Sequence, residues 1–338
     1  MTAAAATRTL KLIGLGWMTP MIGIVTGDDI KGNFRELGKQ LGVPLCAILA
    51  FLLLWGALAP QVQTSLGEIP GPVQVYEQAV SLHQDHLRTQ EKIEKFYAMQ
   101  ETLNEKKLAA DPNAEVKIRP YTGAPTYYDQ IFTSLQTVFM GFMIGSIIAV
   151  PLGVLCGLST TVNAAFNPLI QIFKPVSPLA WLPLVTMVVS ALYVSDDPMF
   201  EKSFLTSAIT VTLCSLWPTL INTAVGVASI DKDLLNVGKV LRLNTTTKIT
   251  KLVLPSALPF IFTGLRLSLG VGWMVLIAAE MLAQNPGLGK FVWDEFQNGS
   301  SQSLAKIMVA VFTIGIIGFL LDRVMLTLQS TFTFGETR

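Results

Sequence analysis

Charged residues are scarce in this chain. Only 14% of its 338 residues are Asp, Glu, Lys or Arg, whereas soluble globular domains contain about 25%. The mean hydropathy is +0.52. This composition argues against an ordinary soluble domain and predicts a polytopic, all-α integral membrane protein. The formal net charge of +1 indicates no basic surface, so nucleic acid is not an expected partner.

Cysteine and histidine are also rare. Cys46, Cys156 and Cys214 fall inside apolar runs without paired spacing, so they are predicted to pack and not to form a disulfide framework. His83 and His86 are the only histidines, and no third ligand of suitable type lies near them in the sequence. We therefore predict no metal site. An intramembrane protease would need Ser with His, or two Asp, at bilayer depth, and the core of no predicted span contains His or Asp.

Long apolar runs are abundant, and they predict six membrane spans, since about 20 apolar residues cross a bilayer as a helix. Pro175, Pro178 and Pro183 interrupt the third span, which is therefore predicted to be broken and buried by protein. The predicted spans are residues 41–60, 131–158, a third that follows a short membrane-depth segment at 166–178 and ends near 193, then 203–227, 259–282 and 307–328.

The polar segments between these runs predict the topology. Residues 1–40 contain five Lys or Arg side chains, which places them in the cytoplasm by the positive-inside rule. Residues 61–125 are then extracytoplasmic, with a helix predicted over 73–110. Residues 126–338 contain the other five spans. Six spans put both termini in the cytoplasm of a multi-pass protein of the inner membrane.

Residues 231–255 form a charged segment between two apolar runs. Five Lys or Arg side chains outnumber two Asp, so the segment is predicted to be a cytoplasmic loop. A helix is predicted over 234–243, and such a loop can dock a soluble partner. The sequence shows no nucleotide-binding loop, so we expect the energy source to be another chain and this chain not to be an enzyme.

Two ionisable residues, Arg266 and Glu280, fall inside the fifth predicted span. They are about 21 Å apart along a helix, too far to pair directly. One interpretation is that both only snorkel or cap the ends of the helix. The other is that Arg266 supplies positive potential to an anion pathway while Glu280 holds an outer loop by pairing. Trp181 is either a gating residue at the outer end of that pathway or an interfacial anchor.

Glycines in the second span recur at the spacing of close helix packing. Gly141 with Gly145, and Gly153 with Gly157, are both GxxxG pairs. Packing inside one subunit is the favoured interpretation, and a contact between two copies is the alternative.

Three stretches, at residues 134–159, 166–184 and 251–289, resemble the membrane permeases of binding-protein-dependent ABC importers, in the nitrate, sulfonate and taurine branch and most closely the nitrate permeases. The cytoplasmic loop of that family begins Glu-Ala-Ala, has Gly four places after the second Ala, and ends Leu-Pro. Here Asn236, Val237 and Gly238 replace Glu-Ala-Ala, and Arg242 replaces the Gly. The ending Leu254-Pro255 is kept.

The resemblance implies a fold like that of the methionine importer permease, with residues 61–125 containing an extra helical insertion. It implies a second permease copy in a homodimer, two cytoplasmic ATPases that bind ATP and Mg, and an extracytoplasmic substrate-binding protein; this chain itself would bind no cofactor. The residues expected to couple to the ATPases are Leu234, Leu235, Asn236, Gly238, Leu241, Arg242, Leu243 and Asn244. The residues expected along the translocation pathway are Arg266, Glu280, Trp181 and Trp273.

The expected function is import of nitrate, or nitrite, by alternating access. A bicarbonate or cyanate permease of the same family is one alternative. An anion channel or secondary transporter that works without an ATPase is the other, although proton or sodium coupling would favour carboxylates near the midplane. Glu280 is the one candidate for that role, and it lies toward one end of its span.

Overall fold

A computed structural model describes residues 19–27, 30–64, 67–111, 116–194, 199–300 and 302–333. The described chain is almost entirely helical, and its two short strands, Gln63–Thr64 and Gly67–Glu68, pair antiparallel just after the first span. The predicted N-terminal segment is covered only from Thr19 onward. We number the α-helices α1 (Thr19–Thr26), α2 (Ile30–Leu37), α3 (Val43–Leu58), α4 (Pro72–Ala110), α5 (Tyr127–Leu158), α6 (Thr160–Phe173), α7 (Pro178–Leu192), α8 (Lys202–Ala228), α9 (Lys232–Val240), α10 (Thr245–Lys248), α11 (Leu254–Ala283), α12 (Leu288–Asn298) and α13 (Ser303–Thr333).

Five continuous helical stretches are long and apolar enough to cross a membrane: Lys31–Gln61, Tyr127–Leu158, Lys202–Ala228, Thr245–Ala283 and Ser303–Thr333. The pair α6 and α7 makes a sixth if it is counted as one span. Short π-helical segments at Gly38–Gly42 and Ile249–Val253 join α2 to α3 and α10 to α11. Five of the six predicted spans therefore overlap helices of membrane length.

The third predicted span differs from the prediction in detail. The two helices α6 and α7 meet at 101°, and α6 begins at Thr160, because the Ser159 hydroxyl accepts a hydrogen bond from the Val162 amide and caps it. The break is confirmed, but the preceding segment is a complete helix and not a short stretch at 166–178. Within this chain α7 is buried on one face only: Leu182, Val185 and Val189 are buried, whereas Leu184, Met187 and Leu192 are exposed.

Helix α8 is the centre of the bundle and packs between α5 and α11. Small side chains let the helices approach closely: a Cβ atom on Gly141 would lie 2.6 Å from the Ala208 carbonyl oxygen, and one on Gly153 would lie 2.8 Å from that of Leu220. Both GxxxG pairs of α5 face α8 in the same chain. The favoured interpretation, packing inside one subunit, is confirmed.

The predicted helix over 73–110 is α4, which begins one residue earlier, at Pro72. Val75 and Leu82 are buried against the bundle. Beyond Leu82, α4 projects from the bundle, and residues 116–120 return beside it. There the Arg119 amide donates to Gln100 Oε1 at 2.8 Å and Gln100 Nε2 donates to the Arg119 carbonyl at 2.9 Å. We call this projection the arm.

Candidate coupling loop and membrane sites

The loop between α8 and α11 presents apolar side chains on an otherwise charged segment. The side chains of Val240 and Leu241 are 82% and 63% exposed, and that of Val237 is 50% exposed. These three residues follow the spacing i, i+3, i+4 and so share one face of α9 and its end. An exposed apolar face on a polar loop is typical of a surface that a partner covers.

A tight turn closes this loop at Arg242, whose φ of 50° lies in the left-handed region that glycine adopts most readily. The Leu243 amide donates to the Gly238 carbonyl at 3.0 Å. A Cβ atom on Gly238 would lie 3.0 Å from Leu252 Cδ1, so the turn packs directly onto the start of the next span. Arg242 stands where the pattern that this sequence resembles has Gly, and here an arginine adopts the positive φ.

The predicted coupling residues differ in their exposure and contacts. Asn236, Leu241 and Arg242 are exposed. Leu234 packs against the buried cluster around Val253, and Leu243 folds back over Gly238. Asn244 is exposed but has a structural task, because its side chain accepts a hydrogen bond from the Thr247 amide at 2.7 Å and caps α10. The side chain of Leu235 lies outside the described part of the chain.

Arg266 forms an ion pair with Asp322 of α13. Arg266 Nη2 donates to Asp322 Oδ2 at 3.0 Å, and Nε donates to Oδ1. The pair borders an open cavity of about 590 Å³, together with Thr263, Leu267, Gly270, Met274 and Gln329. Both side chains are a little over one third exposed. The carboxylate of Asp322 therefore offsets the positive charge of Arg266, and a role of Arg266 in an anion pathway stays a prediction.

Glu280 is fully buried at the end of α11 that leads to α12. The Ser134 hydroxyl lies 2.8 and 2.9 Å from its two carboxylate oxygens, and the Gly289 amide donates to Oε2 at 2.9 Å. The same Ser134 oxygen accepts from the Leu288 amide at 2.9 Å. Glu280 therefore fastens the start of α12 to α5 through neutral donors. It does so without a cation among the described residues.

The arm histidines have local partners. His83 Nδ1 lies 3.1 Å from the Tyr128 hydroxyl, and His86 Nδ1 lies 2.8 Å from Thr126 Oγ1. In the part of the chain that the structure describes, no three His, Cys, Asp or Glu side chains form a group that could hold a metal.

Residues 149–332, more than half of the chain, match the family described as the inner membrane component of binding-protein-dependent transport systems. The chain belongs to this family. It is an ABC importer permease, and a multi-pass protein of the inner membrane.

Relatives place this permease in the nitrate and bicarbonate group. It is 32% identical over 298 residues to the bicarbonate transport system permease protein CmpB of Synechococcus elongatus. The aligned region covers 88% of this chain and 91% of that protein. It is 36% identical over 201 residues to the nitrate import permease protein NrtB of Synechocystis sp., covering 60% and 68%. It is 38% identical over 208 residues to CmpB of Synechocystis sp., covering 61% and 69%.

Trp181 of the permease lies near the start of α7, in a cluster of aromatic rings. It contacts Phe173, which stacks on Trp217 with ring centroids 6.3 Å apart. Trp217 lies about 16 Å along α8 from Ala228, at 1.5 Å per residue. Trp181 is thus at the end of α7 away from the acidic loop before α8, and its role as an outer gate or as an interfacial anchor stays a prediction.

Trp273 of the permease is a packing residue between α11 and α13. Its side chain is 5% exposed, and its indole N–H donates to the Ile314 carbonyl at 2.9 Å. An edge of the ring reaches a cavity of about 210 Å³ that Arg266 also lines. Its participation in the pathway stays a prediction.

Sequence reasoning missed three functional candidates in the permease: Val237, Val240 and Asp322. The two valines follow the helical spacing of Leu241, so the apolar stripe was visible in the pattern. Asp322 is an acidic residue in the antiparallel last span, and an intramembrane arginine needs a partner of that kind. Only the packing of α11 against α13 identifies which acid it is.

Proposed function

We propose that this permease forms the pore of an ATP-driven importer of nitrate, and that its α9 region is the contact with the ATPases. The exposed apolar face of Val237, Val240 and Leu241 carries this proposal. It is the apolar surface on a loop that is otherwise rich in charge, and burying it against another protein would be favourable. ATP and Mg would bind the partner subunits and not this chain.

The helix that follows this loop supports a mechanism of alternating access. Helical structure continues without interruption from Thr245 to Ala283, about 58 Å at 1.5 Å per residue. A displacement of α9 by closing ATPases would therefore reach α11 through a stiff element, and α11 packs along the central α8. In a pair of permease copies, two such helices would open the space between them to one side of the membrane and then to the other.

The names of the relatives support the substrate. Nitrate is the substrate we propose, since three nitrate import permeases are 34–36% identical to this chain. Bicarbonate is the second candidate, because the bicarbonate permease of Synechococcus elongatus matches 88% of the chain. Nitrate and bicarbonate are both small trigonal oxyanions, so one pore architecture serves either.

The remaining features of the proposal concern the assembly. Two copies of this chain would form the pore, with both termini in the cytoplasm and the arm on the opposite side. An extracytoplasmic substrate-binding protein would deliver the anion. The basic loop at 231–255 supports this orientation by the positive-inside rule.

The test is uptake of labelled nitrate into proteoliposomes that contain the copurified complex. We expect uptake that requires both ATP and the binding protein. Bicarbonate uptake without nitrate flux would overturn the substrate, and flux through this chain alone would overturn the class in favour of a channel or secondary transporter.

The variant Leu241→Asp tests the coupling surface. A carboxylate in the centre of a contact that excludes water is unfavourable, so uptake should be lost while the spans still assemble. Thr246→Asp introduces the same charge at an exposed site on α10 and should leave uptake near the native rate. Unchanged uptake by Leu241→Asp would contradict the proposed contact. Leu243 is unsuitable because it packs inward.

A further inference from the structure

The arm carries an open groove on one side of α4. The groove has a volume of about 460 Å³ and lies between α4 and the returning segment at 116–120. None of the described residues that line it is acidic. Its apolar side chains are those of Phe96, Met99 and Leu103, and its basic side chains are those of Lys107, Lys117 and Arg119. We call this feature the arm groove.

The charges of the arm are sorted around α4. The groove residues that α4 contributes are spaced three and four apart, so they share one side of the helix. Glu94, Glu101 and Glu105 are spaced seven and four apart and share another side. Successive residues of an α-helix are rotated by about 100°, so Glu105 is rotated by about 200° from Leu103. These three acids therefore lie on the opposite side of α4 from the groove.

Two cations of the groove are presented without an internal partner. The Arg119 backbone is held at both its amide and its carbonyl by the side chain of Gln100. The side chains of Lys107 and Arg119 are exposed, and neither forms an ion pair with any residue that the structure describes. The groove therefore presents positive charge that an acidic partner would complement.

Apolar side chains beside these cations are also exposed. The side chains of Met99 and Leu103 are 65% and 47% exposed, and that of Ile118 on the returning segment is 73% exposed. Apolar groups that are exposed next to a polar rim are typical of a surface that another protein covers. Methionine suits such a surface because its unbranched side chain adapts to the shape of a partner. The arm groove thus fits a protein segment with both apolar and acidic side chains.

The distance of the groove from the bundle excludes a direct effect of these cations on the pore. His86 contacts Thr126 at the start of α5, and Phe96 lies ten residues farther along α4, about 15 Å. Exposed charges are largely screened beyond about 8 Å at physiological ionic strength. The groove cations therefore act on a partner that contacts the arm, and they do not supply potential to an anion in the bundle.

We propose that the arm groove docks the extracytoplasmic substrate-binding protein, through a surface segment of that protein that combines carboxylates with apolar side chains. Lys107 and Arg119 would pair with the carboxylates, and Met99 and Leu103 would be covered by the apolar groups. This inference rests on the proposed function, which requires a soluble protein on the side of the membrane where the arm lies. It gives the arm the task of holding that protein beside the pore.

The first experiment measures uptake of the labelled anion by proteoliposomes of the full complex as the concentration of binding protein is varied. Lys107→Glu with Arg119→Glu should raise the half-saturating concentration about tenfold or more, because carboxylates of the two proteins would then face each other. The maximal rate should stay near the native value, since neither residue belongs to the bundle. Lys107→Arg with Arg119→Lys keeps both charges and should change the half-saturating concentration by less than about threefold.

The matched control is Lys95→Glu with Lys106→Glu. It changes the net charge of the arm by the same amount, at exposed positions that do not line the groove. The half-saturating concentration should stay at the native value. An equal rise for the control and for the groove variant would overturn the site, because only the overall charge of the arm would then matter. No rise for the groove variant would overturn it as well.

The second experiment does not depend on whether the charge-reversed arm folds. The photoreactive residue benzoylphenylalanine replaces Met99 in the groove or, as the control, Glu101 on the opposite side of α4, in an otherwise native complex. Illumination with the binding protein present should crosslink the Met99 position to an acidic segment of that protein, identified by mass spectrometry, and the Glu101 position far less. Crosslinks from Met99 only to lipid or only to a second permease copy would overturn the proposal.

Failure of the arm groove and failure of the proposed function are distinguishable. If the native complex shows no uptake that depends on ATP and on the binding protein, the proposed function fails. If native uptake depends on both, and the groove variants and crosslinks behave like their controls, the docking site on the arm alone is wrong.

Discussion

Glu280 shows how a residue that is unfavourable in a membrane can be used for structure. Its carboxylate is fully buried, yet the Ser134 hydroxyl and the Gly289 amide both reach it. Such hydrogen bonds offset part of the desolvation of the acid. Sequence reasoning predicted that Glu280 holds an outer loop, and the structure shows it holding the start of α12, although through neutral groups and not through a charged pair.

Ser134→Ala should destabilise the protein by about 1 to 3 kcal/mol, because it leaves the buried Glu280 short of a donor and the Leu288 amide without its acceptor. Thermal unfolding of the purified protein in detergent measures this. Ser190→Ala, on the exposed side of α7, is the matched control and should change little. Equal melting temperatures for the two variants would show that Ser134 does not support the clamp.

Arg242→Gly should stabilise the turn of the coupling loop by about 1 kcal/mol, since glycine adopts positive φ without the penalty that a side chain incurs. Limited proteolysis of the loop reports this change. Arg242→Lys is the control, because it keeps the charge and the strain. A loop that is cleaved faster after Arg242→Gly would show that the arginine side chain, and not its backbone, maintains the turn.

At the scale of helices, the contact between α5 and α8 depends on which glycines face the partner closely. A Cβ atom on Gly141 would lie 2.6 Å from the backbone oxygen of Ala208, whereas one on Gly145 would meet nothing closer than 3.7 Å. Both glycines belong to one GxxxG pair, so the sequence makes them look equivalent. The actual crossing of the helices makes them different.

Gly141→Ala should therefore lower the free energy of unfolding by about 1 to 3 kcal/mol through overpacking. Gly145→Ala should be neutral or slightly stabilising, because alanine favours a helix more than glycine does. The two melting curves, recorded in the same detergent, provide the comparison. A larger loss for Gly145→Ala would mean that α5 crosses α8 in a different register.

At the scale of the whole molecule, the distal part of the arm, residues 98–120, does not share the buried core of the bundle. Every described side chain from residue 98 to residue 120 is exposed or half-buried. The arm is closed instead by its own contacts, such as the Tyr121 amide donating to the Tyr97 hydroxyl at 3.2 Å. The coupling loop contacts a different part of the bundle, at the start of α11.

Replacing residues 98–120 by a short Gly/Ser linker should leave the bundle folded, with a change of less than about 1 kcal/mol, because no buried side chain is removed and closing the loop differently has a small entropy cost. The measurements are the melting temperature and copurification of the ATPases. Linkers of two different lengths control for strain. Loss of the ATPases with both linkers would show that the arm supports the bundle at a distance.

The sequence by itself determined the membrane class, the places of the spans, the long helix after the first span and the charged loop between α8 and α11. These features follow from apolar run length, helical spacing and charge segregation, which are local properties of the chain. The matches at residues 134–159, 166–184 and 251–289 also carried the resemblance to importer permeases. These features do not distinguish nitrate from bicarbonate, since relatives of both names are 32–38% identical to this chain.

Only the tertiary structure decided which groups meet. Arg266 and Asp322 are 56 positions apart in the chain, and Glu280 and Ser134 are 146 apart, so no local pattern pairs them. Helix packing brings distant residues into contact, and for that reason the Arg266–Asp322 pair and the clamp at Glu280 could be seen only in the folded chain.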